Sequence, residues 1–259
     1  MPKFAANLTM LWNEIDFLDR FAKAAEAGFK GVEYLFPYAY PKEELAERLE
    51  KHGLTQALHN LPAGEWAKGE RGIAVLPDRV GEFQDSVGTA LEYAKVLKTQ
   101  TLNVLAGIAP KDVPAEAAYE TLVSNLKFAA AEAKKAGIPL VVEAINTRDI
   151  PGFYLNTTKQ TLSLLDDVGP QDVFFQYDIY HMQIMEGDLV PTLRANMARI
   201  KHIQLADNPG RGEPGTGEIN YPFIFKAIDD AGYTGWIGAE YKPATTTDAG
   251  IGWFAPYKG

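Results

Sequence analysis

Short apolar runs alternate with longer amphipathic segments along the whole chain. Runs rich in apolar and β-branched residues predict strands, whereas apolar positions that recur at each helical turn predict helices. The predicted strands are 3–8, 31–36, 54–60, 101–107, 138–144, 173–178, 200–206 and 235–241. The predicted helices are 13–27, 42–52, 78–98, 114–136, 157–168, about 186–198, and 221–231.

This alternation predicts an α/β fold, and eight strands within 259 residues favour a (β/α)8 TIM barrel. A doubly wound parallel sheet is the alternative. It is disfavoured because the segment Asn7-Leu8-Thr9-Met10, at the end of the first strand, lacks the glycine-rich turn that binds dinucleotides. The chain shows no linker, short repeat or low-complexity tract, so we predict a single domain over 1–259.

Composition narrows the classes of function. The chain is 46% hydrophobic and 23% charged, as folded soluble proteins are. Its net charge of -9 argues against a nucleic-acid partner, which requires clustered Lys and Arg, but still allows a small anionic substrate held by one local cation. Without cysteine, the chain offers no disulfide, thiolate nucleophile or cysteine-type zinc site.

The N-terminal segment has no basic stretch followed by a long apolar one, and no apolar run approaches the length of a membrane span. We therefore expect a cytoplasmic protein with no signal peptide and no membrane partner. The sequence leaves the oligomeric state open, and a homo-oligomer is compatible with it.

Four late strands end on a side chain that could bind a metal ion. These residues are Glu143, Asp178, Gln204 and Glu240, separated by 35, 26 and 36 positions, or about one βα unit each. In a TIM barrel the carboxyl ends of the strands meet at one face, where active sites lie. Taken singly, each carboxylate could instead cap a helix or pair with a lysine. Their recurrence in four successive units favours a shared site.

Three carboxylates brought together without a cation would repel one another, and at least one would have to protonate. A divalent ion removes this penalty. Because the donors are carboxylate and amide oxygens, the sequence favours a hard metal such as Mg²⁺ or Mn²⁺ over Zn²⁺.

Other polar residues are candidates for substrate contacts. Arg211 lies in the glycine-rich loop 207–221 after strand seven and could reach over the barrel mouth, although a solvated surface arginine is an equal alternative. His181, three residues after Asp178, is expected on the loop that leaves strand six. His59 ends strand three and could line the same mouth. Glu33, in strand two, is a candidate for supporting the site from inside the barrel.

Two further histidines receive simpler interpretations. His202 lies inside strand seven, and the sequence assigns it no role. His52 ends a predicted helix, where it suits the negative end of the helix dipole.

Several segments together resemble the hydroxypyruvate isomerase family of the xylose isomerase-like TIM barrels. They are GEINYPFIFKAIDDAGYTGWIGAEYKP (217–243), the opening PKFAANLTMLW, and GFKGVEYLFPYAY (28–40). The resemblance extends over essentially the whole chain. GEINY and GWIGAEYKP are the specific motifs, whereas the carboxylate spacing is shared by the wider superfamily.

The resemblance implies roles at the matching positions. Glu143 and Glu240 would be metal ligands and also the proton donor and acceptor, and Asp178 and Gln204 would complete the metal site. His181 and Arg211, with Lys242 as a further candidate, would contact substrate oxygens. Many superfamily members have histidine where this chain has Gln204, a departure that tilts the expected metal toward magnesium.

The implied reaction interconverts hydroxypyruvate and tartronate semialdehyde, with a small anionic 2-oxo acid as substrate and no organic cofactor. A 2-oxo-tetronate isomerase and a ketose 3-epimerase remain alternatives on the same scaffold. A small-molecule binding module is the non-enzyme alternative, which does not require a proton-transfer pair. A metal-dependent nuclease is disfavoured by the net charge of -9 and by only four histidines.

Overall fold

The computed structural model describes residues 1–258, and its centre is a closed barrel of eight parallel strands. Each strand pairs with the next along the chain, and the last closes the barrel against the first. The predicted TIM barrel is confirmed. The strands are β1 (Lys3–Asn7), β2 (Gly31–Glu33), β3 (Thr55–Asn60), β4 (Thr101–Val104), β5 (Leu140–Glu143), β6 (Phe174–Asp178), β7 (Ile200–Leu205) and β8 (Trp236–Ala239).

Helices connect successive strands and pack around the barrel. Among residues 1–258, every helix is too short or too polar to cross a bilayer. The α-helices are α1 (Arg20–Ala27), α2 (Lys42–His52), α3 (Val80–Leu97), α4 (Ala115–Ala136), α5 (Thr158–Val168), α6 (Ile179–Met185), α7 (Leu189–Asn196), α8 (Tyr221–Asp230) and α9 (Thr247–Gly250).

The first helix begins later than the predicted 13–27. Between β1 and α1 the chain forms turns and then the 3-10 helix Phe17–Asp19, and carbonyl groups of the turns face the guanidinium of Arg20. Arg20 Nε donates to the carbonyl oxygen of Ile15 at 3.0 Å, and Nη1 donates to that of Leu8 at 2.8 Å. Because these carbonyls are taken by a side chain, α1 begins only at Arg20.

Besides the short 3-10 helix Trp66–Lys68, two helical segments were not predicted. Helix α6 follows β6 with no intervening turn, because the Asp178 carboxylate accepts a hydrogen bond from the backbone N–H of His181 at 3.0 Å and so caps the helix. The expectation that His181 lies on a loop is therefore wrong, since it lies in the first turn of α6. The second segment comprises α9 and the 3-10 helix Ile251–Tyr257.

Inside the barrel, near its carboxyl end, the side chains are polar. The Glu33 carboxylate extends from β2 across the barrel to β7, where it bonds His202 and Gln204. It fits there because residue 238 on β8 is glycine. A Cβ at Gly238 would lie 2.2 Å from Glu33 Oε2, a distance that atoms do not tolerate. The small residue on β8 thus makes room for the carboxylate on β2.

We therefore predict that Gly238→Ala lowers the free energy of unfolding by about 1–3 kcal/mol, the usual penalty for overpacking. The matched control is Gly88→Ala on the exposed face of α3, where an added Cβ meets open space. It should raise stability by up to about 1 kcal/mol, because alanine favours helix. Denaturant unfolding of both variants measures the difference. Equal stability of the two would contradict the packing of Glu33 against Gly238.

Candidate active site

A pocket of about 210 Å³ lies at the carboxyl ends of the barrel strands. Its wall is apolar on much of its surface and carries a few converging polar groups, as small-molecule sites usually do. The polar groups include Glu143, His181, Gln204, Arg211 and Glu240. The apolar groups include Met10, Leu35, Leu58, Trp66 and Leu105.

Glu143, Asp178 and His181 form a buried cluster that could hold a metal ion. Each offers one ligand atom, and these atoms lie within 4.8 Å of one another. His181 Nε2 is 3.7 Å from Glu143 Oε1 and 3.7 Å from Asp178 Oδ2. Asp178 Oδ1 caps α6, whereas Asp178 Oδ2 is buried without a hydrogen-bond partner.

Glu240 forms a buried ion pair with Arg211. Arg211 Nη2 donates to Glu240 Oε2 at 2.5 Å, and Asn7 Nδ2 donates to the other oxygen at 3.1 Å. The guanidinium also lies 5.3 Å from the centre of the Tyr180 ring. Arg211 Nε is buried and has no hydrogen-bond partner among residues 1–258, and the Arg211 side chain lines the pocket.

Burial and mutual repulsion perturb these carboxyl groups. Burial raises the pKa of Glu143 well above its ordinary value, and the negative charges of Glu240 and Asp178 raise it further. Burial also raises the pKa of Glu240, although Arg211 opposes this shift. Burial disfavours the charge on Arg211, but Glu240, Asp178 and Glu143 outweigh it and raise the pKa of the guanidinium.

A polar network in the barrel interior supports Gln204. Gln204 Nε2 donates to Glu33 Oε1 at 2.7 Å, while Gln204 Oε1 accepts from Gln176 Nε2 at 2.6 Å. Glu33 Oε2 lies 2.6 Å from His202 Nε2, and Asn7 Nδ2 donates to Glu33 Oε1 at 3.0 Å. Glu33 thus supports the site from the interior, and His202, to which the sequence assigned no role, is its partner.

His181 is held through its other ring nitrogen. Its Nδ1 lies 2.7 Å from the side-chain amide of Asn146, a fully buried residue in the loop after β5. Burial lowers the pKa of His181 to about 4, so the ring is neutral at neutral pH.

The loop that carries Arg211 is organised by one buried carboxylate. Asp207, directly after β7, is completely buried and accepts four backbone N–H groups. Those of Asn208 and Ile219 donate to Oδ1, and those of Gly215 and Gly217 donate to Oδ2, all at 2.9–3.0 Å. Because four backbone N–H groups of the loop are bonded to this one carboxylate, the path of the loop is fixed.

The structure brings five of the predicted residues to one pocket: Glu143, His181, Gln204, Arg211 and Glu240. Asp178 does not line the pocket itself, but its carboxylate lies beside Glu143 and His181. It does not bring His59 there. The side chains of Leu58 and Asn60 line the pocket, so His59, between them on β3, faces the opposite side. Its Nδ1 is 3.2 Å from the Thr99 hydroxyl. The expectation that His59 lines the mouth is wrong.

Lys242 is also outside the pocket, and its side chain is exposed. Its contribution is through the backbone, because its N–H donates to the carbonyl oxygen of Arg211 at 2.7 Å. This bond ties the arginine loop to the segment after β8. The side-chain contact to substrate expected for Lys242 is not supported by this placement.

Comparisons with known proteins agree with the fold. A family model described as xylose isomerase-like TIM barrel matches residues 21–257. The chain is 53% identical to hydroxypyruvate isomerase of Escherichia coli (strain K12) over 100% of both chains. It is 48% identical to 2-oxo-tetronate isomerase of Cupriavidus necator, again over 100% of both. A crystal structure described as AP endonuclease, family 2, from Brucella melitensis covers 100% of both chains with a TM-score of 0.98 and 44% identity.

The chain therefore belongs to the xylose isomerase-like TIM barrels and, among them, to the hydroxypyruvate isomerase family. It is an isomerase, as the resemblance of its sequence implied.

We predict that Asp207→Asn lowers the free energy of unfolding by about 1.5–3 kcal/mol, because an amide nitrogen would face two backbone N–H donors. The displaced loop should also loosen Arg211, so activity should fall further than the loss of folded protein explains. Thermal melts and steady-state rates measure the two effects. Asp112→Asn, an exposed aspartate before α4 and the matched charge control, should change neither. Unchanged stability of Asp207→Asn would contradict the organising role of Asp207.

Proposed function

We propose that this isomerase interconverts hydroxypyruvate and tartronate semialdehyde (2-hydroxy-3-oxopropanoate), using a divalent metal ion. One observation carries the proposal: two buried glutamates, Glu143 and Glu240, line one small pocket that also contains a largely buried arginine, Arg211. The relative that is 53% identical over the full length and is named hydroxypyruvate isomerase supports the choice of substrate.

The proposed metal ligands are Glu143, Asp178, Gln204 and Glu240. A cation fits this set because Asp178 Oδ2 is buried without a partner and the neighbouring carboxylates repel one another. Carboxylate and amide oxygens suit Mg²⁺ best and Mn²⁺ next. Bound there, the ion would supply a Lewis acid for the two neighbouring substrate oxygens. The proposed reaction needs no organic cofactor.

In the proposed proton transfer, one glutamate removes a proton from C3 of hydroxypyruvate, which leaves an enediolate. The hydroxyl proton passes from O3 to O2, and a glutamate returns a proton to C2. The carbonyl then stands on C3, as tartronate semialdehyde requires. Glu143 and Glu240 are the proposed proton-transfer pair because both carboxylates line the pocket.

Arg211 is proposed to hold the carboxylate of the substrate. Its guanidinium lines the pocket, remains charged through neighbouring carboxylates, and has a buried Nε–H without a partner. Such N–H groups bind carboxylates in a charge-assisted manner. His181, which also lines the pocket, is proposed to bind a second substrate oxygen.

A 2-oxo-tetronate isomerase is the second candidate, because a full-length relative of 48% identity carries that name. The same glutamates and arginine would serve a substrate that is one carbon longer. The net charge of -9 and the oxygen-rich ligand set argue against nuclease activity.

The proposal is tested with metal-stripped protein, assayed before and after Mg²⁺ or Mn²⁺ is restored, on hydroxypyruvate, 2-oxo-tetronate and a neutral ketose. We expect metal-dependent turnover with the highest kcat/KM for hydroxypyruvate. Glu240→Gln should reduce kcat at least about 100-fold, whereas Glu47→Gln, on the exposed face of α2, should not. Preference for 2-oxo-tetronate would select the second candidate. Turnover of the ketose alone would indicate an epimerase, and no turnover would favour a binding module.

Arg211→Ala should reduce kcat/KM for the 2-oxo acid by about 10–100-fold more than it reduces kcat/KM for a neutral ketose that is turned over. Only the acid loses a charge-assisted hydrogen bond. Arg194→Ala, an exposed arginine on α7, is the matched control. If neutral substrates bind detectably without turnover, their Kd values replace kcat/KM. Equal losses for acid and neutral ligands would contradict carboxylate recognition by Arg211.

A further inference from the structure

The orientation of the Asn146 side chain is determined by groups whose hydrogen-bonding roles are fixed. Its Oδ1 accepts from the backbone N–H groups of Arg148 at 3.0 Å and Asp149 at 2.8 Å. Backbone N–H groups can only donate, so the oxygen must face them. The Nδ2 group therefore faces the other side, where it meets Asp149 Oδ2 at 3.2 Å and His181 Nδ1 at 2.7 Å.

This orientation decides which nitrogen of His181 carries the proton. A hydrogen on Nδ1 would point at the amide hydrogens of Asn146, and two donors cannot share a hydrogen bond. His181 Nδ1 must therefore accept, and the hydrogen of the neutral ring is on Nε2.

Among residues 1–258 the Nε2–H group has no acceptor. Its two closest carboxylate oxygens, on Glu143 and Asp178, are both 3.7 Å away, which is too long for a hydrogen bond. His181 lines the pocket, so this N–H is available to a bound molecule.

We propose that Asn146 is a positioning residue that holds His181 in the Nε2–H form, so that His181 is a hydrogen-bond donor to a substrate oxygen and not a metal ligand. The tautomer follows from hydrogen-bond geometry alone. The identity of the substrate oxygen rests on the proposed function.

The chemical consequence concerns the substrate. An Nε2–H donor selects an oxygen that can accept, such as a carbonyl, and binds it more strongly as it becomes the oxygen of an enediolate. A bond that strengthens in the transition state acts on kcat more than on KM. A protonated Nε2 cannot coordinate a cation. A metal ion bound beside Glu143 and Asp178 would therefore rely on oxygen ligands, although His181 lies close to both residues.

The first test is ¹⁵N NMR of the full-length protein labelled at histidine, without substrate. The four histidines are distinguished by comparison with His181→Gln, whose spectrum lacks the His181 signals. We expect a pyrrole-like Nε2 and a pyridine-like Nδ1 for His181, and the same pattern after Mg²⁺ is added. A pyrrole-like Nδ1 in the unmodified protein would overturn the proposal, and this measurement requires no variant at Asn146.

The second test is Asn146→Asp, which keeps the size of the side chain but places an acceptor opposite His181 Nδ1. The proton should move to Nδ1, and kcat should fall by about 100-fold with little change in KM, as expected when a transition-state donor is lost. Asn146→Ala removes the donor without adding an acceptor, and should give a mixture of tautomers with a smaller loss of kcat. Asn156→Asp, in the same loop and outside the pocket, is the matched charge control.

The two tests separate this inference from the proposed function. An Nε2–H tautomer that Asn146→Asp converts, in a protein that turns over no 2-oxo acid, would support the positioning role and contradict the proposed reaction. An unchanged tautomer or an unchanged kcat in correctly folded, active Asn146→Asp would overturn the positioning role while leaving the reaction intact.

Discussion

The constraint on which this site depends is the burial of four carboxylates at one end of a barrel. Glu33, Glu143, Asp178 and Glu240 are each at most 6% exposed, and a charge removed from water must find donors or a cation. Glu33, deepest in the interior, bonds three side chains, and Glu240 has an arginine. Glu143 receives only one longer bond, from Asn103 at 3.3 Å, and one oxygen of Asp178 receives none. The protein therefore provides full hydrogen bonding to the carboxylate in the barrel interior but too few partners for the carboxylates at the mouth. There, a bound ligand or cation can compensate the remaining buried charge.

The groups that must act on a ligand are fixed before one arrives. Asp207 determines the path of the loop that carries Arg211, and the backbone N–H of Lys242 ties that loop to the segment after β8. Asn146, in the loop after β5, fixes the ring of His181 through a hydrogen bond to its Nδ1. In each case backbone N–H groups and a short polar side chain define the geometry. Little reorganisation is then needed when charge develops on a bound molecule, which is the condition for strong electrostatic stabilisation.

The barrel and the positions of the strand-end carboxylates could be predicted from the sequence because both follow from local periodicity. The alternation of apolar runs identifies the strands, and Glu143, Asp178 and Glu240 stand where those runs stop. The direction in which His59 points could not be predicted, because each face of β3 carries one apolar and two polar side chains and the pattern does not show which face is inward. The roles of Asp207 and Asn146 depend on backbone N–H groups of irregular loops, which leave no periodic signal. An aspartate at the end of a strand before a glycine-rich loop was the available hint for Asp207.

Most of the large apolar side chains of the pocket wall come from the first half of the chain, whereas its acidic side chains come from the second. Met10, Leu35, Leu58, Trp66 and Leu105 come from the first four βα units, whereas Glu143, Gln204 and Glu240 come from the last four. Exchange of an apolar side chain in the first half would resize the cavity without moving an acidic group in the second. Proteins that share this barrel and these acidic groups can therefore differ in pocket size alone.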